Sequence, residues 1–156
     1  MKKKEKVKEI VKRLKNEYPD SKCSLIYDSP FQLLVATVLS AQCTDERVNK
    51  VTEKVFAKYP DSNSLSSLSE KDIGKLIYST GFYNNKAKNI KKMSDIISTS
   101  YNGKIPDKIE QLTLLPGVGR KTANVVLGNV FNVPSLVVDT HVTRISNLLK
   151  LVTTKN

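Results

Sequence analysis

The hydrophobic positions of this chain repeat with the spacing of helices rather than with the alternation of strands. Close to the N-terminus, four apolar residues fall at i, i+3, i+4 and i+7, on one face of a helix: Val7, Ile10, Val11 and Leu14. The segment Tyr18-Pro19-Asp20 ends this helix, since a proline cannot continue it. The pattern predicts an amphipathic first helix whose apolar stripe needs a partner.

Caps and helix-breaking residues divide the rest of the chain into further helices. Ser29 caps a mostly apolar helix with Pro30 in its first turn, and either Thr44 or Asp45 caps the next. The predicted spans are 31–42, 45–58, a short helix from Ser69, 85–101, a short helix from Asp107 to about Leu115, 120–132, and a last helix capped by Asp139. Residues 60–68 are polar and are predicted to be a connection. The predicted fold class is all-α, a compact bundle of helices joined by short loops.

Composition limits the partners and the compartment. The formal net charge of +11 fits a polyanionic partner, although the basic residues of the first helix are explained by a solvated helix face. No apolar run reaches membrane-spanning length, and the basic N-terminus lacks the apolar region of a signal peptide, which predicts a cytoplasmic protein without a membrane partner. Cys23 and Cys43 are too few for a disulfide framework or a four-cysteine cluster.

A short glycine-containing turn, Pro116-Gly-Val-Gly119, separates two predicted helices. Two glycines around one apolar residue permit a tight turn with outward-pointing backbone N–H groups, and the following helix adds the positive end of its dipole. Such a site suits a DNA phosphate and reads no sequence. The alternative is an ordinary helix turn, but flanking apolar residues are spaced to pack the two helices together, which favours a helix-hairpin-helix over 112–127: Leu112, Leu115, Ala123, Val126 and Leu127.

Lys121 occupies the second position of the helix that follows the turn. An ammonium group there opposes the helix dipole, which favours the neutral amine that can attack a sugar carbon. On residue type alone, a surface lysine without a chemical role is the commoner outcome in a chain with 26 lysines and arginines.

Asp139 follows the apolar run Leu136-Val-Val138 and precedes the only histidine, His141. It can cap a helix, and as a partly buried carboxylate it can also accept a proton and stabilise positive charge on a sugar. His141 has no cysteine, glutamate or second histidine at metal-ligand spacing, so no metal site is predicted. With Arg120 and Arg144, it is a candidate phosphate contact, the alternative for both arginines being a solvated surface.

Together these segments resemble endonuclease III, the bifunctional DNA glycosylase and abasic-site lyase of base-excision repair. The resemblance lies in Leu115-Pro-Gly-Val-Gly-Arg-Lys-Thr-Ala-Asn-Val-Val126 and Val138-Asp-Thr-His141, with Leu39-Ser-Ala-Gln-Cys-Thr-Asp45 and Gly81-Phe-Tyr-Asn-Asn-Lys-Ala87 in matching order and approximate spacing. It implies a helix-hairpin-helix DNA glycosylase fold. The expected partner is double-stranded DNA with a damaged pyrimidine or an abasic site, and the expected protein is a monomer that is nucleoid-associated through the DNA.

The resemblance also implies a role for individual residues. Lys121 would attack C1′ of an extruded, oxidised pyrimidine nucleotide and expel the base, and β-elimination from the resulting Schiff base would cut the strand on the 3′ side. Asp139 would help to activate the lysine and stabilise the cationic sugar. Gln42 lies where the family inserts a glutamine into the gap left by the flipped base, and Phe82 lies at the opposite wedge position. The other implied DNA contacts are Gly117, Val118, Gly119, Arg120, His141 and Arg144.

The chain departs from the family towards its C-terminus. Endonuclease III proteins usually continue into a four-cysteine loop that holds a [4Fe–4S] cluster, whereas this chain lacks those cysteines, so no cofactor is expected in it. The expected domains are a helical domain, 21–133, and an incomplete second domain that combines 1–20 with 134–156 and contains Asp139. Three interpretations follow: a glycosylase and lyase, a catalytically impaired fragment that only binds DNA through the hairpin, or an unstable remnant.

Overall fold

The computed structural model describes residues 2–154, and this part of the chain is helical without any strand. Nine α-helices and one 3-10 helix follow one another: α1 (Lys3–Glu17), α2 (Pro30–Leu39), α3 (Asp45–Lys58), α4 (Ser62–Ser66), α5 (Glu70–Ile77), the 3-10 helix (Tyr78–Thr80), α6 (Tyr83–Ser100), α7 (Ile109–Leu112), α8 (Arg120–Val130) and α9 (Thr140–Leu148). The predicted all-α fold class is confirmed. Within the same residues, no helix is long and apolar enough to cross a membrane.

Side-chain caps define several helix starts. Four predicted cap residues each accept a hydrogen bond from the backbone N–H group three residues further on: Ser29, Thr44, Ser69 and Asp139. Of the two candidates for the start of α3, Thr44 is therefore the cap. Asp45 is instead the first helical residue, and its carboxylate accepts a hydrogen bond from the hydroxyl of Ser24.

The predicted end of α2 is wrong by three residues. The helix ends at Leu39 rather than at Gln42. The chain turns at Ser40, whose hydroxyl donates to the carbonyl of Thr37 at 2.7 Å, and Gln42 then has a φ of 52°, which a right-handed helix does not accept. Gln42 thus lies in a loop instead of at the end of a helix.

Two further predictions need correction. The segment 60–68 contains α4, because the carboxylate of Asp61 accepts the N–H of Ser64 at 2.8 Å and Leu65 packs into the core with 1% exposure. The predicted cap of α7 is also wrong: Lys108, not Asp107, is the residue before the helix, and its side chain makes no capping bond. α7 is correspondingly short.

The chain divides into two units, one formed by residues 1–23 and 138–156 and the other by Ser24–Val137. In the first unit, Nζ of Lys6 donates to the carbonyl of Leu149 at 2.6 Å. Of the stripe predicted for α1, Ile10 is half-buried, whereas the other three residues are exposed: Val7, Val11 and Leu14. The assignment of 1–20 and 134–156 to one incomplete domain stays a prediction.

The core of the Ser24–Val137 unit surrounds α2, which is apolar on nearly every side. α2 packs against α3, α6 and α8, and α6 packs in turn against α4 and α5. The one polar side chain buried within α2, Gln32, is satisfied, since it accepts the N–H of Asp28 at 2.9 Å and donates to the carbonyl of Pro60 at 3.3 Å. The largest fully buried side chains include Leu33, Leu34, Leu39, Ile73, Ile77, Ile90, Met93 and Ile97.

The turn between α7 and α8 depends on the first of its two glycines. Gly117 has a φ of 77°, and a Cβ atom there would lie 2.9 Å from Cβ of Asn89 on α6. Gly119 has a φ of −87°, and a Cβ atom there would meet nothing within 4 Å. Only Gly117 is therefore required by both its backbone conformation and its surroundings.

Gly117→Ala is expected to lower the free energy of unfolding by roughly 1–3 kcal/mol, because alanine resists the left-handed conformation and would press on Asn89. Gly119→Ala is the matched control, with an expected change of about 0.5 kcal/mol or less, since a stiffer unfolded chain offsets the poorer cap. Urea unfolding followed by circular dichroism measures both variants. Equal losses would contradict this account of the turn.

Candidate nucleic-acid interface and catalytic residues

Buried apolar side chains in the segments on either side of the glycine turn hold it in place. The residues predicted to join the two helices are all buried, which confirms the packing of the hairpin: Leu112, Leu115, Ala123, Val126 and Leu127. Val118, at the middle of the turn, is also buried, and its N–H group donates to the carbonyl of Leu115 at 3.1 Å. Val118 thus holds the turn in place, while the two glycines on either side of it are exposed.

The helix that follows the turn begins without a side-chain cap. Its N-cap residue is Gly119, which makes no side-chain hydrogen bond to the first turn. Arg120 and Lys121 are the first two helical residues, and both are exposed. The first turn of a helix carries unpaired N–H groups and the positive end of the dipole, so this surface suits a phosphate and places the amine of Lys121 beside it.

Gln42 and Phe82 share an unusual backbone conformation. Gln42 has a φ of 52° and Phe82 a φ of 48°, both in the left-handed region. Neither side chain has the short polar group that lets asparagine adopt this region readily, so each position costs about 1–2 kcal/mol. Both side chains are exposed, Phe82 by 67%. Strained backbone beneath exposed side chains is typical of functional sites.

Lys86, on α6, is a buried lysine to which no sequence motif assigns a role. It is 6% exposed, and its Nζ donates to the carbonyls of Leu39 and Thr80, each at 2.9 Å. Burial lowers the pKa of Lys86 below its ordinary value, an effect that Cys43 partly opposes. A lysine within a polar stretch carries no sequence signal of burial, although Lys86 does lie in the segment that resembles the family, Gly81–Ala87.

Asp139, His141 and Arg144 lie at the start of α9, in the unit formed by the two ends of the chain. The half-buried carboxylate of Asp139 accepts the N–H of Val142 at 2.8 Å, so its capping role is confirmed. His141 and Arg144 are exposed and stand three positions apart, which places them on one face of the helix.

The residues of this chain do not fit the iron–sulfur cluster that the resemblance implies for the family. A [4Fe–4S] cluster needs four thiolates, whereas the sequence contains Cys23 and Cys43, both free thiols. Among residues 2–154, no group of three or more histidine, cysteine, aspartate or glutamate side chains could hold a metal ion.

Comparison with known proteins shows the family to which this chain belongs. Residues 35–156 match the family described as HhH-GPD superfamily base excision DNA repair protein. The chain is 53% identical over 150 residues to endonuclease III of Synechocystis sp., covering 96% of this chain and 68% of that protein. It is 47% identical over 132 residues to endonuclease III of Bacillus subtilis, covering 85% of this chain and 60% of the relative. The chain thus spans 60–68% of the length of these two relatives.

Solved structures agree with the sequence relatives. A non-covalent endonuclease III–DNA complex and a trapped endonuclease III–DNA covalent intermediate each match with a TM-score of 0.87 and 43% identity, over 94% of this chain and 68% of theirs. A thermostable thymine-DNA glycosylase, 24% identical with a TM-score of 0.85, shares the fold. The predicted helix-hairpin-helix glycosylase fold is therefore confirmed. The chain belongs to the HhH-GPD superfamily of base excision DNA repair proteins and, within it, to the endonuclease III family.

Proposed function

We propose that this chain removes damaged pyrimidines from double-stranded DNA and cuts the resulting abasic site. The observation that carries the proposal is the position of Lys121, an exposed lysine in the first turn of α8, directly after a glycine turn suited to a phosphate. A phosphate bound at the turn would bring the adjacent sugar to the amine, and such positioning accounts for a large part of catalysis.

The proposed chemistry runs through a covalent intermediate on Lys121. Its Nζ attacks C1′, the bond between C1′ and the base breaks, and the base leaves with a proton. Opening of the sugar ring gives a Schiff base between Nζ and C1′. Loss of a proton from C2′ then expels the 3′ phosphate oxygen, which cuts the strand. The Asp139 carboxylate is the group that accepts a proton and stabilises positive charge at the sugar.

The proposed DNA contacts divide into phosphate ligands and wedges. Phosphates would bind the turn backbone at Gly117 and Gly119, helped by charged or polar side chains that read no sequence: Arg120, His141 and Arg144. Val118 would support the turn rather than donate its own N–H. Gln42 would fill the gap left by an extruded nucleotide, and Phe82 would act as the second wedge.

Relatives support a covalent route on DNA. One solved relative is a trapped endonuclease III–DNA covalent intermediate, and another is a non-covalent complex with DNA. Both complexes are properties of those relatives, and the 43% identity over 94% of this chain is the reason for proposing the same class of reaction here. Damaged pyrimidines are proposed as the substrate, and a monomer as the active form. A duplex containing thymine glycol beside one containing 8-oxoguanine tests the choice of base.

Lys121→Ala is expected to reduce cleavage of an abasic duplex by about 1,000-fold or more, because the nucleophile is lost, while leaving affinity for the same duplex largely intact. Borohydride trapping of the covalent complex is the measurement. Lys54→Ala, which removes an exposed lysine from α3, is the matched control and is expected to trap normally. A complex trapped by Lys121→Ala would contradict the assignment. No complex with the folded, unmutated chain would favour the alternative function, binding of DNA through the hairpin without cleavage.

Asp139→Asn separates the two roles of this residue. Asparagine caps helices about as well as aspartate, so the variant is expected to retain more stability than Asp139→Ala, which should lose about 1 kcal/mol. The rate of base removal should nonetheless fall by roughly 100-fold or more, because the amide cannot accept a proton. Thermal unfolding and single-turnover kinetics are measured on both variants. A fully active Asp139→Asn protein would leave Asp139 with its capping role alone.

DNA affinity is expected to fall steeply with salt, because phosphate contacts release counterions. Two cationic contacts, those of Arg120 and Arg144, predict a loss of roughly tenfold between 50 and 200 mM KCl for an undamaged duplex. Arg120→Gln should reduce the slope of log affinity against log salt by about one. Fluorescence anisotropy at several salt concentrations measures both effects. An affinity that does not change with salt would exclude the proposed phosphate contacts.

A further inference from the structure

The ammonium group of Lys86 joins two loops that are far apart in the sequence. Its two acceptors, the carbonyls of Leu39 and Thr80, lie 47 and 6 residues away from it along the chain. Both acceptor residues are buried, Leu39 with 0% and Thr80 with 2% exposure. The hydrogen bonds therefore form away from water, where a charged donor contributes most.

Each of these carbonyls belongs to the last residue of a helix, and a proposed wedge follows within three residues. Leu39 is the last residue of α2, and Gln42 follows three positions later. Thr80 is the last residue of the 3-10 helix, and Phe82 follows two positions later. The backbone N–H of Lys86 also donates to the carbonyl of Phe82 at 3.2 Å, so the segment of Phe82 is held from both sides.

A flexible cationic side chain suits the position between the carbonyls of Leu39 and Thr80. Carbonyls at the end of a helix carry partial negative charge and lack a partner within the helix, and an ammonium group with three donors can serve two such ends at once. An apolar side chain at position 86 would leave both buried carbonyls without this partner. The left-handed φ values of Gln42 and Phe82 cost free energy, and such conformations persist only where the surroundings fix them.

We propose that Lys86 is a positioning residue that fixes the Gln42 and Phe82 loops relative to each other and thereby gives the protein its selectivity for DNA with a missing or extruded nucleotide. The role rests on the proposed function of Gln42 and Phe82 as wedges, but it does not depend on lyase chemistry. Binding experiments can therefore test it separately from Lys121.

The test is Lys86→Met, which nearly keeps the side-chain volume and removes the charge and the donors. The probes are two duplexes of one sequence, one intact and one with a single tetrahydrofuran abasic analogue. Lys86→Met is expected to lower the ratio of the two affinities by roughly tenfold while changing the affinity for the intact duplex by less than about twofold. Lys88→Met, which removes an exposed charge from the same helix, is the matched control and should keep the ratio.

A double-mutant cycle distinguishes positioning from a merely structural role. In a Gln42→Ala/Phe82→Ala background, Lys86→Met should cause no further loss of selectivity, because no wedge remains to be positioned. A folded Lys86→Met protein with unchanged selectivity, or an equal loss in both backgrounds, would overturn the proposal. If the unmutated chain did not prefer the abasic duplex, the proposed wedge function of Gln42 and Phe82 would be contradicted, and with it the role of Lys86. Loss of covalent trapping alone would contradict only the proposed role of Lys121.

Lys86→Met could also fail to fold, and a measurement on the unmutated protein covers that case. The NMR signal of the Lys86 ε-methylene group, labelled with ¹³C, is followed during titration with each duplex. A shift at saturation with the abasic duplex that clearly exceeds the shift with the intact duplex is the expected result. Equal shifts, or none, would show that Lys86 does not respond to the wedges.

Discussion

Burial of α2 is the constraint on which the rest of the site depends. This helix is apolar on nearly every side and packs against α3, α6 and α8. Three of the proposed functional residues lie at helix ends around it: Gln42 follows α2, Phe82 precedes α6, and Lys121 lies in the first turn of α8. The ends of a packed helix are fixed in space by its buried face, and the N–H groups in the uncapped first turn of α8 remain available. One hydrophobic core therefore supports the three exposed residues that are proposed to act on DNA.

The helices of the Ser24–Val137 unit differ in whether a side chain caps their first turn. Hydroxyl side chains cap α2, α3 and α5, each through Oγ or Oγ1 of the residue before the helix. Two helices that begin next to proposed DNA contacts, α6 and α8, lack such a cap. The residue before α6 is Phe82, and the residue before α8 is Gly119. A missing cap costs about 1 kcal/mol. The short helix α7, which follows Lys108, also begins without a side-chain cap, but α6 and α8 are the uncapped helices next to proposed DNA contacts, and a broken local rule is expected at binding sites.

Local signals accounted for the parts of the fold that depend on neighbouring residues. The caps Ser29 and Ser69 and the packing of Leu112 and Leu115 against α8 followed from short-range spacing, and the structure confirms them. The end of α2 did not follow from local spacing, because Ser40-Ala-Gln42 suits a helix by composition. The observed turn is instead held by Lys86, which lies 47 residues beyond Leu39. Such a long-range contact leaves no periodic trace in a sequence. The family resemblance marked the segment around Lys86 but not the burial of its side chain.

A single residue that serves two helix ends couples them energetically. If the Gln42 loop moved while the Phe82 loop stayed, one of the two 2.9 Å hydrogen bonds of Lys86 would break and leave a buried carbonyl unpaired. Independent movement of the two loops is therefore costlier than joint movement. If Gln42 and Phe82 act as proposed, as wedges that enter DNA from opposite sides of one gap, they need this property, because a wedge that arrived alone would disturb base stacking without replacing the extruded nucleotide. In the proposed role, the buried ammonium group of Lys86 supplies that coupling through its hydrogen bonds to Leu39 and Thr80.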